Sequence, residues 1–499
     1  MNQLEHKKVA DVQLYINGEF IHAAGSGYFD NKNPFTNEVI NRIAKGDRSD
    51  IEKAATAAQE AFLNGPWGSM KLKDRMMYIE RIADLIDEEV DEIAILETLD
   101  TGLPISQTRK MVGRAAENFR FYSRMVQTRM HGDAYQVDDE FINYTVYQPL
   151  GVVGLITPWN APFMLTTWKI APALATGNTV ILKPAELSPL SANKIAGIMK
   201  KAELPKGVFN VVHGFGETAG DALVKNEKVK AISFTGETTT GKTIIRNAAG
   251  TLKKTSMELG GKSPLIVFDD AEFERALDAA VWGIFSFNGE RCTANSRVFL
   301  HKNIKDKFVS KLKERVDNIV IGDPAAPETQ IGPLIDHSHF NKVSGYIEMA
   351  EEEGCAIYQG SVPEAVKAGN FVPPTLLLEA SNDMRICQEE IFGPVMAVIE
   401  FETEEEVVRM ANNVEYGLAG YVWTNDIKRG HRVAQAIDSG MLWVNAQNVR
   451  DLRIPFGGMK ASGIGREGGH FAIMEFYTEP KAIHVAMKDH HIPQFGKKK

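Results

Sequence analysis

From residue 135 onward the chain alternates short apolar runs with helix-patterned stretches, and this alternation constrains its architecture more than any other feature. Apolar or alternating runs occur at 141–147, 152–156, 179–182, 208–212 and 232–235, with helical patterns at 190–200 and 218–223 between them. Strand-sized runs separated by helices predict an α/β chain with a mostly parallel, doubly wound sheet. A second α/β section begins near Pro264, with a strand at 265–268 and Asp269 and Asp270 as candidate helix N-caps. Phe273, Leu277, Ala280, Val281 and Ile284 then share one helical face, and Gly289 is the expected helix stop. A strand at 296–300 and a helix marked by Ile304, Phe308, Leu312 and Val316 follow. Upstream, residues 50–99 carry apolar side chains at three- and four-residue spacing, as in Ile79, Ile82, Ala83, Leu85 and Ile86, which predicts consecutive amphipathic helices.

At 499 residues the chain is expected to form about three domains. Its 44% hydrophobic and 24% charged residues match ordinary globular usage and exclude a disordered or low-complexity architecture. The 56 basic side chains fall short of the 65 acidic ones, leaving a net charge of −9 that argues against nucleic acid as a partner. An odd, sparse set of three cysteines does not suit a secreted disulfide framework and fits a reducing cytoplasm. The opening residues Met1 to Lys8 lead into alternating polar and apolar residues without a signal-peptide core, and no 18-residue uncharged apolar run predicts a membrane span. The acidic stretches 351–353 and 404–406 are read as solvated helix faces, and 497–499 as a frayed tail. No HExxH or paired CxxC pattern supports a metal, the adjacent His490 and His491 lack helical ligand spacing, and no GxSxG elbow marks a serine hydrolase.

Cys292 lies in Phe287-Asn288-Gly289-Glu290-Arg291-Cys292-Thr293, between a helix stop and a strand, which makes it a candidate nucleophile; Cys355 and Cys387 read as small buried hydrophobes. The C-terminal pole of the preceding helix opposes an anionic sulfur, so Arg291 or a cofactor cation is expected to compensate. Glu258, followed by Leu259 and the pair Gly260-Gly261, reads as a general base or as a surface carboxylate beside a glycine turn. Asn160, in Thr157-Pro158-Trp159-Asn160-Ala161-Pro162, reads as an oxyanion donor or as a turn-former between prolines. Two segments suit a dinucleotide. In Phe234-Thr235-Gly236-Glu237-Thr238 a strand passes through glycine into a helix, whose N–H groups can meet a pyrophosphate. In Lys183-Pro184-Ala185-Glu186 charge appears at the end of an apolar strand, where Glu186 suits ribose hydroxyls or simply faces water.

Together with Glu389-Glu390-Ile391-Phe392-Gly393-Pro394 and Pro455-Phe456-Gly457-Gly458, these segments occur in the order seen in aldehyde dehydrogenases, and the chain resembles that superfamily along essentially its whole length. The resemblance implies a Rossmann-type NAD-binding domain (1–126 and 149–260), an α/β catalytic domain (261–474) and a small β oligomerisation element (127–148 and 475–499). It implies a homo-oligomer, either a dimer or a dimer of dimers, acting on a small-molecule aldehyde. Cys292 takes the role of nucleophile, Glu258 of general base, and Asn160 with the Cys292 N–H of oxyanion hole. The cofactor, NAD with NADP as the alternative, is expected at Ile156, Thr157, Pro158, Trp159, Lys183, Glu186, Gly216, Phe234, Thr235, Gly236, Glu237, Leu259, Glu390 and Phe392. Two positions depart from the common pattern. Glu290 stands where many members have glutamine, and Glu237 where serine is frequent, which leaves backbone amides as the expected pyrophosphate donors.

The strings 285–292, 447–453 and 490–496 resemble the branch of the family that oxidises 5-carboxymethyl-2-hydroxymuconate semialdehyde in 4-hydroxyphenylacetate (homoprotocatechuate) degradation. Guanidinium groups would suit a carboxylated substrate, which makes Arg120, Arg291, Arg450 and Arg453 candidates, with structural ion pairs as the competing reading for Arg120, Arg450 and Arg453. A broad-range, amino or betaine aldehyde dehydrogenase would instead use Trp168 and Phe163 as an aromatic wall. A non-catalytic protein on the same fold is the remaining alternative.

Overall fold

The computed structural model describes residues 9–497; the expectations made for residues 1–8 and for Lys498 and Lys499 lie outside that range. The chain opens with a hairpin of β1 (Leu14–Ile16) and β2 (Glu19–Ile21), turned by Asn17 and Gly18, both at positive φ. Asn-Gly is the favoured pair for a two-residue hairpin turn. Helices α1 (Arg48–Leu63), α2 (Leu72–Glu88), α3 (Val90–Thr101), α4 (Ile105–Val112) and α5 (Ala115–Arg129) follow. Then strands and helices alternate as β3 (Val152–Ile156), α6 (Pro162–Ala175), β4 (Thr179–Lys183), α7 (Leu190–Lys201), β5 (Phe209–Val211), β6 (Val229–Thr235), α8 (Thr238–Ala248) and β7 (Lys254–Glu258).

The second half contributes β8 (Pro264–Val267), α9 (Phe273–Phe285), β9 (Arg297–His301), α10 (His337–Glu352), β10 (Ala356–Gln359), β11 (Thr375–Leu378), β12 (Val395–Phe401), β13 (Ala419–Trp423), β14 (Met441–Val444) and β15 (Gly463–Ile464). Two large sheets result, one ordered β2-β1-β5-β4-β3-β6-β7-β15 and the other β10-β11-β12-β9-β8-β13-β14. In the first, β5, β4, β3, β6 and β7 are parallel, and register places Ile156 beside Lys183 and Phe234, and Thr235 beside Glu258. Four site segments therefore leave the sheet side by side at its C-terminal edge, where open α/β sheets bind ligands. β15, from the segment expected to be wholly catalytic, returns to pair antiparallel with β7, so Gly463 lies opposite Glu258. A third, peripheral sheet pairs Phe141–Pro149 with Ala134–Val137 and with Thr478–Ala486, both antiparallel.

Two local expectations are corrected. Asp269 and Asp270 do not cap α9: Glu272 holds the N-cap position without a side-chain bond, Asp269 accepts from Asn303, and Asp270 accepts from the Thr424 hydroxyl. Those partners come from distant parts of the chain, which local spacing does not reveal. α9 also stops at Phe285, before Gly289, and a 3-10 turn over Ser286–Gly289 follows with Phe287 and Asn288 both in the left-handed region. Among the described residues no helix is long and apolar enough to cross a membrane, and no cluster of three metal-ligating side chains occurs.

Asn178, fully buried, ties the first sheet to its surroundings: its Oδ1 accepts from Gly151 N–H at 3.0 Å and its Nδ2 donates to the Tyr477 carbonyl at 2.8 Å. Asn178→Ala strands both backbone groups in the core. It is expected to cost about 1–3 kcal/mol for each group left unpaired, read as a lowered denaturant midpoint.

Candidate active site

The loops after β3 and after the 286–289 turn meet between the two sheets. Asn160, buried, donates from Nδ2 to the Glu290 carbonyl at 2.8 Å, which draws the segment after β3 onto the segment leading to Cys292. Glu290 is itself buried, and its Oε1 accepts from Ile335 N–H at 3.0 Å. Its backbone, not its side chain, thus makes the link to Asn160, and a carboxyl in place of an amide leaves that contact intact. Gly261 passes so close to the thiol loop that an added Cβ would lie 2.5 Å from the Cys292 carbonyl, which excludes any side chain there.

Two cavities converge on this point, and Asn160 and Cys292 line both. The narrower, of about 210 Å³, is bounded by Pro158, Trp159, Thr235, Gly236, Glu237, Glu258, Leu259, Gly260, His339, Lys342, Glu390 and Phe392. The other, of about 260 Å³, is bounded by Gln107, Lys110, Met111, Arg114, Asn118, Met164, Leu165, Trp168, Trp282, Phe287, Arg291, Asn448, Arg450 and Leu452, among others. Cys292 is half-buried at the junction. Burial pushes its thiol up to about 11, against which Arg450 acts first among the cations and Arg291 after it, while Glu390 and Glu258 add to the rise. The expected compensation by Arg291 is therefore shared, and Arg450 leads it.

Glu258 ends β7 with both carboxylate oxygens buried and without a hydrogen-bond partner. Burial and then Glu467 hold its pKa well above the usual carboxylate range, opposed by Lys169, Arg466 and Arg450. Lys169, fully buried on α6, donates to Ser233 Oγ at 2.8 Å and pairs with Glu467. Neither Lys169 nor Glu467 is marked by a local sequence motif.

The residues bounding the narrower cavity suit a dinucleotide. Thr235 Oγ1 is buried there without a partner. Gly236 leads into α8, whose N-cap Glu237 makes no side-chain bond, so the first-turn N–H groups are the available anion donors. Further along the same sheet edge Lys183 Nζ meets Glu186 Oε2 at 2.7 Å, a donor and acceptor side by side that match a ribose diol. Glu390 Oε1 accepts from Gly261 N–H at 2.8 Å, and burial pushes its carboxyl up to about 7. Phe392 takes a left-handed backbone with φ 63° and stands edge-on to Trp159 at 5.3 Å. His339 donates from Nε2 to the Phe392 carbonyl at 2.7 Å and, kept neutral by burial, titrates at about 4. His339, Lys342 and Gly260 were not expected here; the first two lie on α10, far along the chain from the other segments. Of the expected cofactor residues, Ile156, Thr157, Lys183, Glu186, Gly216 and Phe234 line neither cavity: Lys183 and Glu186 lie further along the sheet edge, Ile156, Thr157 and Phe234 are buried within or just after their strands, and Gly216 opens a π-helical turn.

Of the arginines expected at the substrate, two lie in the wider cavity and two do not. Arg120 is held by Asp84 at 2.9 Å and Asp87 at 2.7 Å, and Arg453 is exposed and paired with Asp451 at 2.6 Å; both make the ion pairs of the competing reading. Phe163 is fully buried in the core and lines neither cavity. Arg291 lies over Trp282 at 4.6 Å and donates to Ser286 Oγ at 2.8 Å. Arg450 lies between Phe456 at 4.1 Å and Trp168 at 4.8 Å, and its Nη1 is buried without a partner. Lys110 and Arg114 add two further cations, and no aspartate or glutamate bounds this cavity.

Comparison with known proteins agrees along most of the chain. The aldehyde dehydrogenase family model matches residues 20–483. The 5-carboxymethyl-2-hydroxymuconate semialdehyde dehydrogenase of Escherichia coli is 50% identical over 468 residues, covering 92% of this chain and 98% of that protein. Among solved structures, HpcC from Thermus thermophilus is 48% identical with a TM-score of 0.95, covering 98% of this chain and 95% of the other. An aldehyde dehydrogenase from Bacillus cereus, solved as its NAD+ complex, is 40% identical with a TM-score of 0.93, covering 96% and 97%. The chain belongs to the aldehyde dehydrogenase family.

Proposed function

We propose that the protein oxidises an anionic, carboxylated semialdehyde to the corresponding acid, with NAD as the oxidant and 5-carboxymethyl-2-hydroxymuconate semialdehyde as the substrate that best fits its similarity to the E. coli enzyme. The observation that carries the substrate class is the buried, unpartnered Nη1 of Arg450 in a cavity bounded by four cations and no acid. A buried guanidinium without an anion is costly, and a substrate carboxylate supplies the missing partner. A cationic substrate such as betaine aldehyde would meet like charges, and the face of Trp168 that would attract it is already covered by Arg450.

The catalytic steps follow from the groups present. Cys292 Sγ adds to the aldehyde carbon, and charge develops on the carbonyl oxygen. The Asn160 amide has two N–H donors; Glu290 holds one, which orients the other toward that oxygen together with the Cys292 N–H. A nicotinamide dinucleotide, when bound by Lys183, Glu186, Glu390, Phe392 and the first turn of α8, supplies the acceptor for the hydride that the tetrahedral adduct loses. What remains on sulfur is a thioester. Glu258, whose oxygens have no other partner, takes a proton from water, the resulting hydroxide adds to the thioester carbon, and the acid leaves with the thiolate as leaving group.

The two sheets divide the work in this reading, with the first holding the cofactor and the second presenting the nucleophile. The peripheral sheet serves as the contact between subunits of a dimer or a dimer of dimers, supported by its exposed Tyr135, Val137 and Val485. Three free cysteines support a reducing compartment, as in the cytoplasm.

Two outcomes test the chemistry and the substrate class. Asn160→Ala is expected to lose about 100- to 1,000-fold in kcat while still binding NAD, and Cys292→Ser to show only background aldehyde-dependent NAD reduction; parental turnover in either variant refutes the assignment. Arg450→Met is expected to lower kcat/KM for a dicarboxylated semialdehyde by about 10- to 100-fold relative to an uncharged aliphatic aldehyde. Because the arginine favours the thiolate, its loss also moves the pH profile of Cys292 alkylation to higher pH, and further than Arg291→Met does. An unchanged substrate ratio removes the carboxylate reading.

A further inference from the structure

α3 carries two carboxyl groups in the core, Glu97 and Asp100, both fully buried. Among the described residues neither is paired with a cation. Each instead reaches the first turn of a different helix that has no side-chain cap of its own. α6 begins at Pro162 with Ala161 as N-cap, and the next residue, Phe163, donates its N–H to Glu97 Oε2 at 3.0 Å. α7 has Pro189 as N-cap, and Leu190 N–H donates to Asp100 Oδ2 at 2.6 Å, while Asp100 Oδ1 accepts from Asn31 Nδ2 at 2.8 Å.

The two helices lead out of the site. Asn160 stands two residues before Pro162, and α6 then presents Met164, Leu165 and Trp168 to the wider cavity. Lys183 ends β4, and its partner Glu186 stands in the short segment between β4 and α7. Helix first-turn N–H groups need acceptors, and here one neighbouring helix supplies them to both.

We propose that Glu97 and Asp100 are positioning residues, Glu97 fixing the loop that carries the Asn160 oxyanion donor and Asp100 fixing the loop that carries Glu186, the cofactor-binding partner of Lys183 at the end of β4. The proposal rests on the roles given to those residues above. Two further observations favour it over simple packing. Glu97 Oε1 is buried with no partner, so an apolar side chain of the same size would cost less there if stability were all that mattered. Burial pushes both carboxyls up to about 8, and Asp100 adds to the rise at Glu97. Near neutrality each therefore works as an acceptor oxygen more than as a charge, and an amide can replace it.

The test compares steady-state constants of the full-length enzyme. Glu97→Gln keeps the acceptor and is expected to stay within a few-fold of the parent. Glu97→Met keeps the length but removes the acceptor, and is expected to lose up to about 100-fold in kcat with an unchanged KM for NAD. Glu97→Asp, which withdraws the oxygen without emptying the site, gives a smaller loss of the same kind and covers the case in which the methionine variant does not fold. Asp100→Leu gives the opposite split, with KM for NAD raised about tenfold, the equivalent of one lost cap, and kcat at saturating NAD retained. Parental kcat in both Glu97→Met and Glu97→Asp overturns the proposal, as does a Glu97→Gln variant as impaired as Glu97→Met, or losses in kcat and KM that are the same for both positions. Asn160→Ala measured alongside separates the causes. If it is crippled while the Glu97 variants are normal, only the positioning falls; if it turns over normally, the oxyanion role falls and takes the proposal with it.

Discussion

One buried hydrogen bond, from the Asn160 amide to the Glu290 carbonyl, joins the two sheets where chemistry has to occur. Asn160 follows a strand of the first sheet and Glu290 precedes Cys292 at the entrance to the second. The side-chain donor comes from one loop and the nucleophile from the other. Because the bond is buried, breaking it would strand an amide and a carbonyl away from water, so the two loops are held in a single relation. The rest of the site is arranged around that relation: Gly261 lets the segment after β7 pass close to the thiol loop, and β15 returns across the chain to lie opposite Glu258.

Desolvation then sets the electrostatics. Burial raises the pKa of the Cys292 thiol and of the Glu258, Glu290 and Glu390 carboxyls, and lowers those of Arg450 and His339. All six shifts favour the neutral form. The thiol and the carboxyls are thus held toward neutrality before ligands arrive, while Arg450, lowered only to about 10, keeps its charge, and the charge that develops during reaction is met by fixed groups instead of water. Near Glu258 the two partners of the buried Lys169–Glu467 pair act on its proton in opposite directions, Glu467 holding it and Lys169 favouring its loss.

Much of this was legible in the sequence because its signals are local. The strand ends at Ile156, Lys183 and Thr235 follow from apolar runs that stop at polar residues, and parallel pairing then brings them, with Glu258, to one edge. The thiol segment stood out through its polar neighbours. What escaped depends on contacts between distant segments. Asp270 looked like a helix cap and instead serves Thr424, and Arg120 looked available for a substrate and is taken by Asp84 and Asp87. His339 and Lys342 reach the narrower cavity from a helix more than a hundred residues after the strand bearing Thr235. The Asn17-Gly18 turn is a different case, since its hairpin signal is local but joins two strands of only three residues each, too short to show an alternating pattern.

Arg450 carries two duties that pull against each other. As the cation that most favours the Cys292 thiolate, it acts through its positive charge; as the partner of a substrate carboxylate, it has that charge offset on binding. The cavity eases the conflict by number and placement. Arg291, held by Ser286 and the face of Trp282, keeps a second guanidinium near the sulfur, and Lys110 and Arg114 offer other sites for anionic groups. Two positive charges near one nucleophile allow one to be spent on recognition while the other continues to favour the thiolate, so selectivity for an anionic aldehyde does not have to silence the sulfur that attacks it.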